Sequence, residues 1–495
     1  MPIMDEPTSL DPQIADSNSE KLVAANCYEG LVRIMADGTI GKGVATDWNI
    51  SDDGLTYTFK LRNNSHWAMF SGHKAVLGEN YEDTFDITVK AEDFKFGIER
   101  TLSEQTGSAD APLFSAVKSI STPDDYTIVF NLSYADDNFL YALTNPGAMP
   151  CDEEFFNLTN GKYGLDAKYL LCNGPFHVSK WTEKTSVKLV KNNEYNGESS
   201  VSPSSVTFYI NNNDSEVADK MNSVTYDVAF LSSSQFSSIE NKKDLNSVAV
   251  QNVTYSFIFN QNDNNYRNKN MRLAFCRSCD TSSLFDSQSD ITKADGIVPP
   301  SCKIGGEDYR NGNAAELLSY DETLAKKNFN DALLELGSSS VETTILCTEQ
   351  YEPFVKQMVQ KLQKTLGVKF VSTVKVVSES DLEAAVNDGN YSVAFYPFKA
   401  KSSFAGEIIE GFDQNNIFGY ESDVLSQKIR NIKSNSGSLE GERSAVADAE
   451  NYLVSEAVIM PVFYENSYFV TSKKTSGIYF YSSADNVCFI NAKKS

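Results

Sequence analysis

Residues 48–62 read WNISDDGLTYTFKLR, a pattern that predicts a β-hairpin with one buried face. Its second half alternates apolar and polar residues at the period of two that a half-buried strand shows, with apolar side chains at Leu55, Tyr57, Phe59 and Leu61. The SDDG segment at 51–54 has the residue types that favour a turn. Residues 88–98, TVKAEDFKFGI, then predict a helix for which Thr88 is a candidate N-cap.

Beyond about residue 320 the pattern changes to an alternation of helices and strands. Apolar residues at helical spacing predict helices at 321–336, 353–366, 382–386 and 445–457. Short apolar runs between them predict strands at 341–346, 369–377, 391–398 and 459–463. The predicted fold class is mixed α/β, and a chain of 495 residues is too long for one compact core, so we expect more than one lobe.

The composition excludes several classes of protein. A formal net charge of −24 repels phosphate backbones and anionic lipid surfaces, so we expect no nucleic-acid partner. No run of 18 apolar residues is present, which argues against a transmembrane segment. The chain opens MPIMDEPT without the basic and apolar segments of an export signal, and we expect that such a signal has been removed; a cytosolic protein with a native start is the alternative.

Catalytic and metal-binding motifs do not stand out. The three histidines, His66, His73 and His177, lie in no metal-binding pattern, and no GxSxG, P-loop or strand-linked GxGxxG is found. Cys276 and Cys279 have CxxC spacing without a second pair, which favours buried thiols on a helix, and pairing of Cys151 with Cys172 is left open. We expect no catalytic residue, no metal site and no cofactor.

Six segments carry a family likeness: EPTSLDP at 6–12, YEGL at 28–31, the hairpin at 48–62, VKAEDF at 89–94, NGPF at 173–176 and MPVF at 460–463. In this order and spacing they resemble the oligopeptide- and dipeptide-binding proteins, family 5 of the extracytoplasmic solute-binding proteins of ABC importers. The resemblance spans nearly the whole chain.

The resemblance implies a periplasmic-binding-protein-like fold of type II, cluster C, in which two lobes close over a buried cleft beside an extra small domain. Domain I would combine 1–38, 162–260 and 461–495, domain II would be 39–161, and domain III would be 261–460. The chain would cross between lobes near Asn260 and Pro461.

The implied function is that of a receptor that captures a short peptide and passes it to the permease subunits of an ABC importer. The implied location is extracytoplasmic, at the cell surface, with a lipid anchor and no nucleic-acid partner, and we expect a monomer. An oligosaccharide or other small solute is an alternative ligand, and a sensor for a signalling partner is an alternative of another class.

The resemblance also indicates a set of ligand-binding residues: Tyr28, Glu29, Asn173, Asn260, Tyr396, Phe398 and Lys399. Peptide binders of the family present an aspartate shortly after a tryptophan to the ligand ammonium, whereas residues 395–400 here read FYPFKA. Tyr396 takes the tryptophan's place and Lys399 that of the acid. Lys399 could bind a ligand carboxylate or a blocked peptide, another acid such as Glu29 or Glu407 could replace the missing one, or Lys399 could be a solvated surface residue.

Overall fold

The computed structural model describes residues 1–35, 39–136, 138–197, 200–281, 285, 290–399, 404–413, 416–435, 438–481 and 486–495. The chain packs into two compact units, unit 1 with Met1–Ala249 and Ser467–Ser495, and unit 2 with Val250–Asn466. The three-domain division that the resemblance implies stays a prediction. Ala400, the last residue of the FYPFKA segment, lies outside the described residues.

The helices are α1 Asn18–Cys27, α2 Lys74–Leu77, α3 Tyr81–Thr84, α4 Ala91–Leu102, α5 Phe139–Ala142, α6 Glu153–Leu158, α7 Asp214–Asn222, α8 Ser233–Ser238, α9 Lys269–Ser278, α10 Glu322–Leu336, α11 Glu352–Leu366, α12 Glu379–Asn387, α13 Ala405–Glu410, α14 Asp423–Ser434 and α15 Leu439–Ser455. The strands are β1 Pro2–Ile3, β2 Val32–Ile34, β3 Ile40–Lys42, β4 Ala45–Ile50, β5 Thr56–Leu61, β6 Val117–Asp124, β7 Thr127–Leu132, β8 Phe176–Thr182, β9 Ser186–Lys191, β10 Ser205–Ile210, β11 Val228–Ser232, β12 Leu245–Phe259, β13 Ile291–Lys293, β14 Lys303–Ile304, β15 Glu307–Asp308, β16 Val341–Cys347, β17 Phe370–Val376, β18 Val393–Lys399, β19 Ile459–Ser472, β20 Thr475–Ser476, β21 Tyr479–Tyr481, β22 Asn486–Cys488 and β23 Lys493–Lys494.

The predicted hairpin of unit 1 is confirmed as strands β4 and β5, paired antiparallel in the sheet β4-β5-β7-β6. Phe59 is fully buried and contacts Phe130 of β7 edge to face, with 5.8 Å between the ring centroids. The helix that follows begins at Ala91, so the prediction of Thr88 as its cap is wrong. Lys90 occupies the N-cap position, because the Asp93 carboxylate accepts a hydrogen bond from the Lys90 backbone N–H at 2.7 Å.

Two carboxylates fix the N-terminal segment of unit 1. Glu20 accepts hydrogen bonds from five groups of the surrounding loop, namely the backbone N–H groups of Thr8, Ser9, Asp16 and Ser17 and the hydroxyl of Thr8. These donors lower the pKa of Glu20 below its ordinary value although burial opposes them. Asp11 accepts two hydrogen bonds from Arg100 of α4, at 2.6 and 3.2 Å.

Unit 2 has a sheet with the strand order β12-β18-β16-β17, in which β17 and β18 both run parallel to β16. One face packs against α9, α10 and α11 through residues such as Phe275, Phe329 and Val355. The other face packs against α12 to α15, with Leu382, Ile409, Ile429 and Leu453 in the core. The predicted alternation of helices and strands, and with it the mixed α/β fold class, is confirmed.

The cysteines are all free thiols, so the disulfide between Cys151 and Cys172 that the sequence left undecided does not occur. Cys172 instead contacts the side chain of Cys27, and burial raises the pKa of the Cys27 thiol. Cys276 and Cys279 are both buried as predicted, but only Cys276 lies in α9, because the helix ends at Ser278 and Cys279 is extended. Within the described ranges, no helix combines the length and apolar character that a bilayer crossing requires.

His73 is a buried titratable group that makes the stability of unit 1 depend on pH. Its imidazole is fully buried, its Nε2 lies 3.1 Å from the backbone oxygen of Leu170, and burial lowers its pKa from 6.5 to about 4. Between these two pH values the unfolded chain binds a proton that the folded chain does not, so the stability supplied by neutral His73 is present above pH 6.5 and is lost as the pH falls towards 4.

We expect wild-type protein to lose up to about 3 kcal/mol relative to His73→Gln between pH 7 and pH 4, since glutamine keeps a donor near Leu170 and does not titrate. The measurement is urea unfolding of both proteins across that range. His66→Gln is the matched control and should follow the wild type. Parallel curves for wild type and His73→Gln would contradict the prediction.

Candidate functional site

The carboxyl ends of three parallel strands meet at one edge of the unit 2 sheet. Because β16, β17 and β18 run parallel, their ends at Cys347, Val376 and Lys399 lie at the same edge. Ligands of open α/β sheets bind outside the carboxyl ends of such strands, where side chains from several loops converge. This edge is therefore the candidate binding surface that unit 2 offers, and we call it the carboxyl edge.

A polar and aromatic cluster occupies the carboxyl edge. The Tyr351 hydroxyl, which follows β16, donates a hydrogen bond of 2.5 Å to Oε1 of Glu465 on β19. The Gln350 side-chain amide donates to the Tyr351 hydroxyl at 3.1 Å. The ring of Tyr255, on β12, lies 4.3 Å from that of Tyr351 between centroids. Two strands, β12 and β19, and the segment after β16 thus bring a carboxyl group, an amide and two phenols together.

The carboxyl group of Glu465 has an unusual electrostatic environment. Burial raises its pKa, and the negative charge of Glu379 raises it further, whereas the hydrogen bonds from Tyr351 and Gln350 and the charge of Lys399 lower it. The effects of burial and of Glu379 exceed the opposing ones, so the pKa of Glu465 lies above its ordinary value. The surrounding groups therefore do not fully compensate the charge of the ionised carboxylate.

The predicted ligand residues of β18 lie on opposite faces of that strand. Phe395 is buried in the core beneath α11, and Pro397 and Lys399 follow it at the strand period. Tyr396 and Phe398 pack against the opposite core, where Phe398 stacks on Phe412 and Phe418 at centroid distances of 5.8 and 5.7 Å. Tyr396 is partly exposed and Lys399 is exposed. These three side chains therefore do not line one common surface.

Both polar atoms of the Asn260 side chain form hydrogen bonds within unit 2. Its Nδ2 donates to the backbone oxygens of Gly389 and Tyr391, both at 2.8 Å, and its Oδ1 accepts from the backbone N–H of Asn262 at 2.9 Å. The residue is almost fully buried. These contacts fix the chain at the end of β12.

In unit 1 the structure brings Glu29 and Asn173 together. The Asn173 side chain donates to the Glu29 backbone oxygen at 2.9 Å and accepts from the Glu29 backbone N–H at 3.0 Å. The Glu29 carboxylate forms an ion pair with Arg62, which follows β5, and accepts from the Tyr195 hydroxyl at 3.1 Å. Both charged side chains are nearly buried, so the charge of Glu29 is already compensated within the unit.

Tyr28, the residue before Glu29, is buried beneath this cluster. Its hydroxyl lies 3.3 Å from that of Tyr163, and burial raises its pKa well above the ordinary value. Glu407, the other acid considered as a replacement for the missing aspartate, lies partly buried in α13. Among the residues that the structure describes, no group of three or more His, Cys, Asp or Glu side chains is arranged to hold a metal ion.

The sequence analysis missed Glu465, Tyr351 and Gln350 on unit 2. A signal for them existed, because Gln350 and Tyr351 follow the predicted strand 341–346 and Glu465 follows the predicted strand 459–463. It also missed Arg62 as the partner of Glu29. No local pattern pairs residues so far apart in the chain.

Comparison with known proteins places this fold among bacterial receptors. The sequence pattern of the bacterial extracellular solute-binding proteins, family 5 (middle region), matches residues 39–418. The dipeptide-binding protein DppE of Bacillus subtilis is 24% identical over 96% of this chain and 88% of its own length. The probable D,D-dipeptide-binding periplasmic protein DdpA of Escherichia coli is 22% identical over 98% of this chain and 92% of its own length.

Solved structures with a similar fold include complexes with peptides. A dipeptide-binding protein from Pseudoalteromonas sp. SM9913, in complex with Met-Leu, superposes with a TM-score of 0.78 at 18% identity, over 100% of this chain and 99% of its own. OppA of Listeria monocytogenes, bound to peptide, superposes with a TM-score of 0.77 at 21% identity, over 100% and 98%. At these identities the likeness concerns the fold.

The ion pair of Glu29 with Arg62 yields a testable prediction. Replacing Arg62 with methionine leaves a buried carboxylate without its cation, and we expect the free energy of unfolding to fall by about 3 kcal/mol or more. In the double variant Arg62→Met/Glu29→Gln most of this loss should be recovered, because no buried charge is left unpaired.

Urea unfolding at neutral pH measures both variants. Lys356→Met, which breaks the solvent-exposed pair with Glu352, is the control and should leave the stability nearly unchanged. A double variant as unstable as Arg62→Met alone would show that the loss of stability comes from lost packing of the arginine and not from the buried carboxylate left without its cation.

Proposed function

The chain belongs to the bacterial extracellular solute-binding proteins of family 5, and on this premise we propose that it captures a short peptide outside the cytoplasm and delivers it to an ABC importer. The observation that carries the proposal is a similarity to dipeptide-binding proteins that extends over nearly the full length of the chain. The peptide leaves chemically unchanged, so the protein acts as a receptor and not as an enzyme.

The carboxyl edge of unit 2 offers the groups that a peptide ligand requires. A bound peptide loses water from each of its N–H and C=O groups, and each unmatched group costs free energy comparable to a lost hydrogen bond. Tyr255, Gln350 and Tyr351 supply hydroxyl and amide groups at this edge, and Glu465 supplies a carboxyl group. The partly exposed ring of Tyr255 adds apolar surface for a side chain of the ligand.

The seven residues predicted as ligand-binding divide into two groups in the proposal. Glu29, Asn173 and Asn260 act as positioning residues, because their polar side-chain atoms already bind neighbouring groups of their own unit. Tyr28 is buried and belongs with them. Tyr396, Phe398 and Lys399 are proposed as ligand contacts, with Lys399 on the face opposite to the two aromatic residues.

The partners follow from the family. We propose that the protein works as a monomer at the outer face of the cytoplasmic membrane, held there by a lipid anchor, and that it docks on the permease subunits of its importer. Its net charge of −24 fits an extracytoplasmic role, because it opposes adsorption to the anionic membrane surface.

Native mass spectrometry of freshly purified protein tests the proposal. We expect a bound mass in the range of short peptides that is released on denaturation, because a ligand enclosed by hydrogen bonds dissociates slowly. Calorimetry with defined tripeptides then measures the affinity, with maltotriose as the control for the oligosaccharide alternative. Binding of maltotriose together with no binding of any peptide would contradict the proposed function.

A further inference from the structure

We infer that Glu465 and the phenol rings of Tyr255 and Tyr351 form a subsite on unit 2 that binds a primary ammonium group of the ligand. This inference rests on the proposed peptide-binding function and adds the chemical group that the carboxyl edge selects. Neither the family resemblance nor the sequence motifs that carry it include Glu465.

The geometry fixes one side of the Glu465 carboxyl group. Tyr351 donates to Oε1, and Gln350 in turn donates to the Tyr351 hydroxyl, so a chain of two hydrogen bonds orients the group. Backbone pairing of Glu465 with Ile291 of β13 holds the residue within a strand. The side chain remains partly exposed at the edge where a ligand would bind.

The balance of charge distinguishes Glu465 from three carboxylates of the chain that pair with arginine. Glu29 pairs with Arg62, Asp11 with Arg100 and Glu450 with Arg310. No ion pair of Glu465 occurs in the described part of the chain, where its hydrogen-bond partners are a neutral phenol and a neutral amide. A ligand ammonium would supply the positive charge that the fold supplies to the other three.

Lys399 and Glu379 are the charged groups that act on Glu465 from neighbouring elements. The charge of Lys399 lowers the pKa of Glu465 less than the hydrogen bonds from Tyr351 and Gln350 do, and the charge of Glu379 opposes it. Lys399 therefore does not offset the effects that raise the pKa of Glu465, although it follows Phe395 and Pro397 on the same face of β18.

The two phenol rings add a second attraction for a cation. Their centroids lie 4.3 Å apart at an angle of 51°, next to the carboxyl group that Tyr351 binds. The face of an aromatic ring carries partial negative charge and attracts ammonium groups. An ammonium could come from the amino terminus of a peptide or from a lysine side chain, and the experiment distinguishes these sources.

Calorimetry with three peptides tests the inference: Ala-Ala-Ala, N-acetyl-Ala-Ala-Ala and N-acetyl-Ala-Lys-Ala. We expect wild-type protein to bind the free tripeptide at least about tenfold more tightly than its acetylated form, as one charge-assisted hydrogen bond in a desolvated site provides. Tight binding of the lysine peptide alone would identify the side chain as the source of the ammonium group. In Glu465→Gln, which keeps an acceptor for Tyr351, the preference for the charged ligand should disappear.

The pH dependence provides an independent readout. Because the pKa of Glu465 is raised, the preference for the ammonium ligand should weaken as the pH falls through mildly acidic values, and Glu465→Gln should show no such change. Glu349→Gln, an equal change of charge at an exposed neighbour of Gln350, is the matched control and should retain the wild-type preference.

The outcomes separate this inference from the proposed function. Equal binding of all three peptides by the wild type, or an unchanged preference for the charged ligand in Glu465→Gln, would overturn the inference and leave peptide binding intact. Tighter binding of the acetylated form would overturn it in favour of Lys399 as the group that faces the ligand. Binding of none of the three peptides would contradict the proposed function itself.

Discussion

A carboxylate that leaves water must find compensation, and this constraint shapes both units of the protein. Transfer of an ionised carboxyl group into the interior costs several kcal/mol unless cations or hydrogen-bond donors replace its water. Glu20 is compensated by five donors of its loop, whereas Glu450 accepts from the backbone N–H groups of Ile297 and Val298 and pairs with Arg310. Glu20 thereby holds the N-terminal loop of unit 1, whereas Glu450 joins segments of unit 2 that are far apart in the chain.

The same constraint gives the resembling motifs a structural meaning. In EPTSLDP, Glu6 accepts from the indole N–H of Trp181 at 2.7 Å, and Asp11 pairs with Arg100. In YEGL and NGPF, Glu29 and Asn173 exchange two hydrogen bonds between side chain and backbone. Gly174 fits against Cys27, where an added Cβ would lie 2.6 Å from backbone atoms. The segments that carry the family likeness are therefore largely the ones whose contacts join separate segments of unit 1.

Local patterns predicted most of the elements, because periodicity depends on near neighbours. The hairpin at 48–62 and the helices of unit 2 follow from alternation and helical spacing. The predicted N-cap of α4, Thr88, was wrong, because the helix begins at Ala91, where the Asp93 carboxylate accepts a hydrogen bond from the Lys90 backbone N–H. The candidate site was predicted less well. The pairing of Tyr351 with Glu465, or of Glu29 with Arg62, depends on tertiary packing that no local pattern encodes.

The structure also bears on the prediction that Lys399 stands where the peptide binders of the family have an acid. A receptor that needs a negative charge for its ligand can place that charge on any strand that reaches the same edge, because electrostatic attraction depends on distance and desolvation and not on chain position. Glu29 cannot take this role without losing Arg62, whose guanidinium would then be left unpaired in the interior. Glu465 can, since its partners Tyr351 and Gln350 are neutral and keep their hydrogen bonds when a cation arrives. An exposed Lys399 on the same face would then act at longer range, where solvent screens its repulsion of the bound ammonium group.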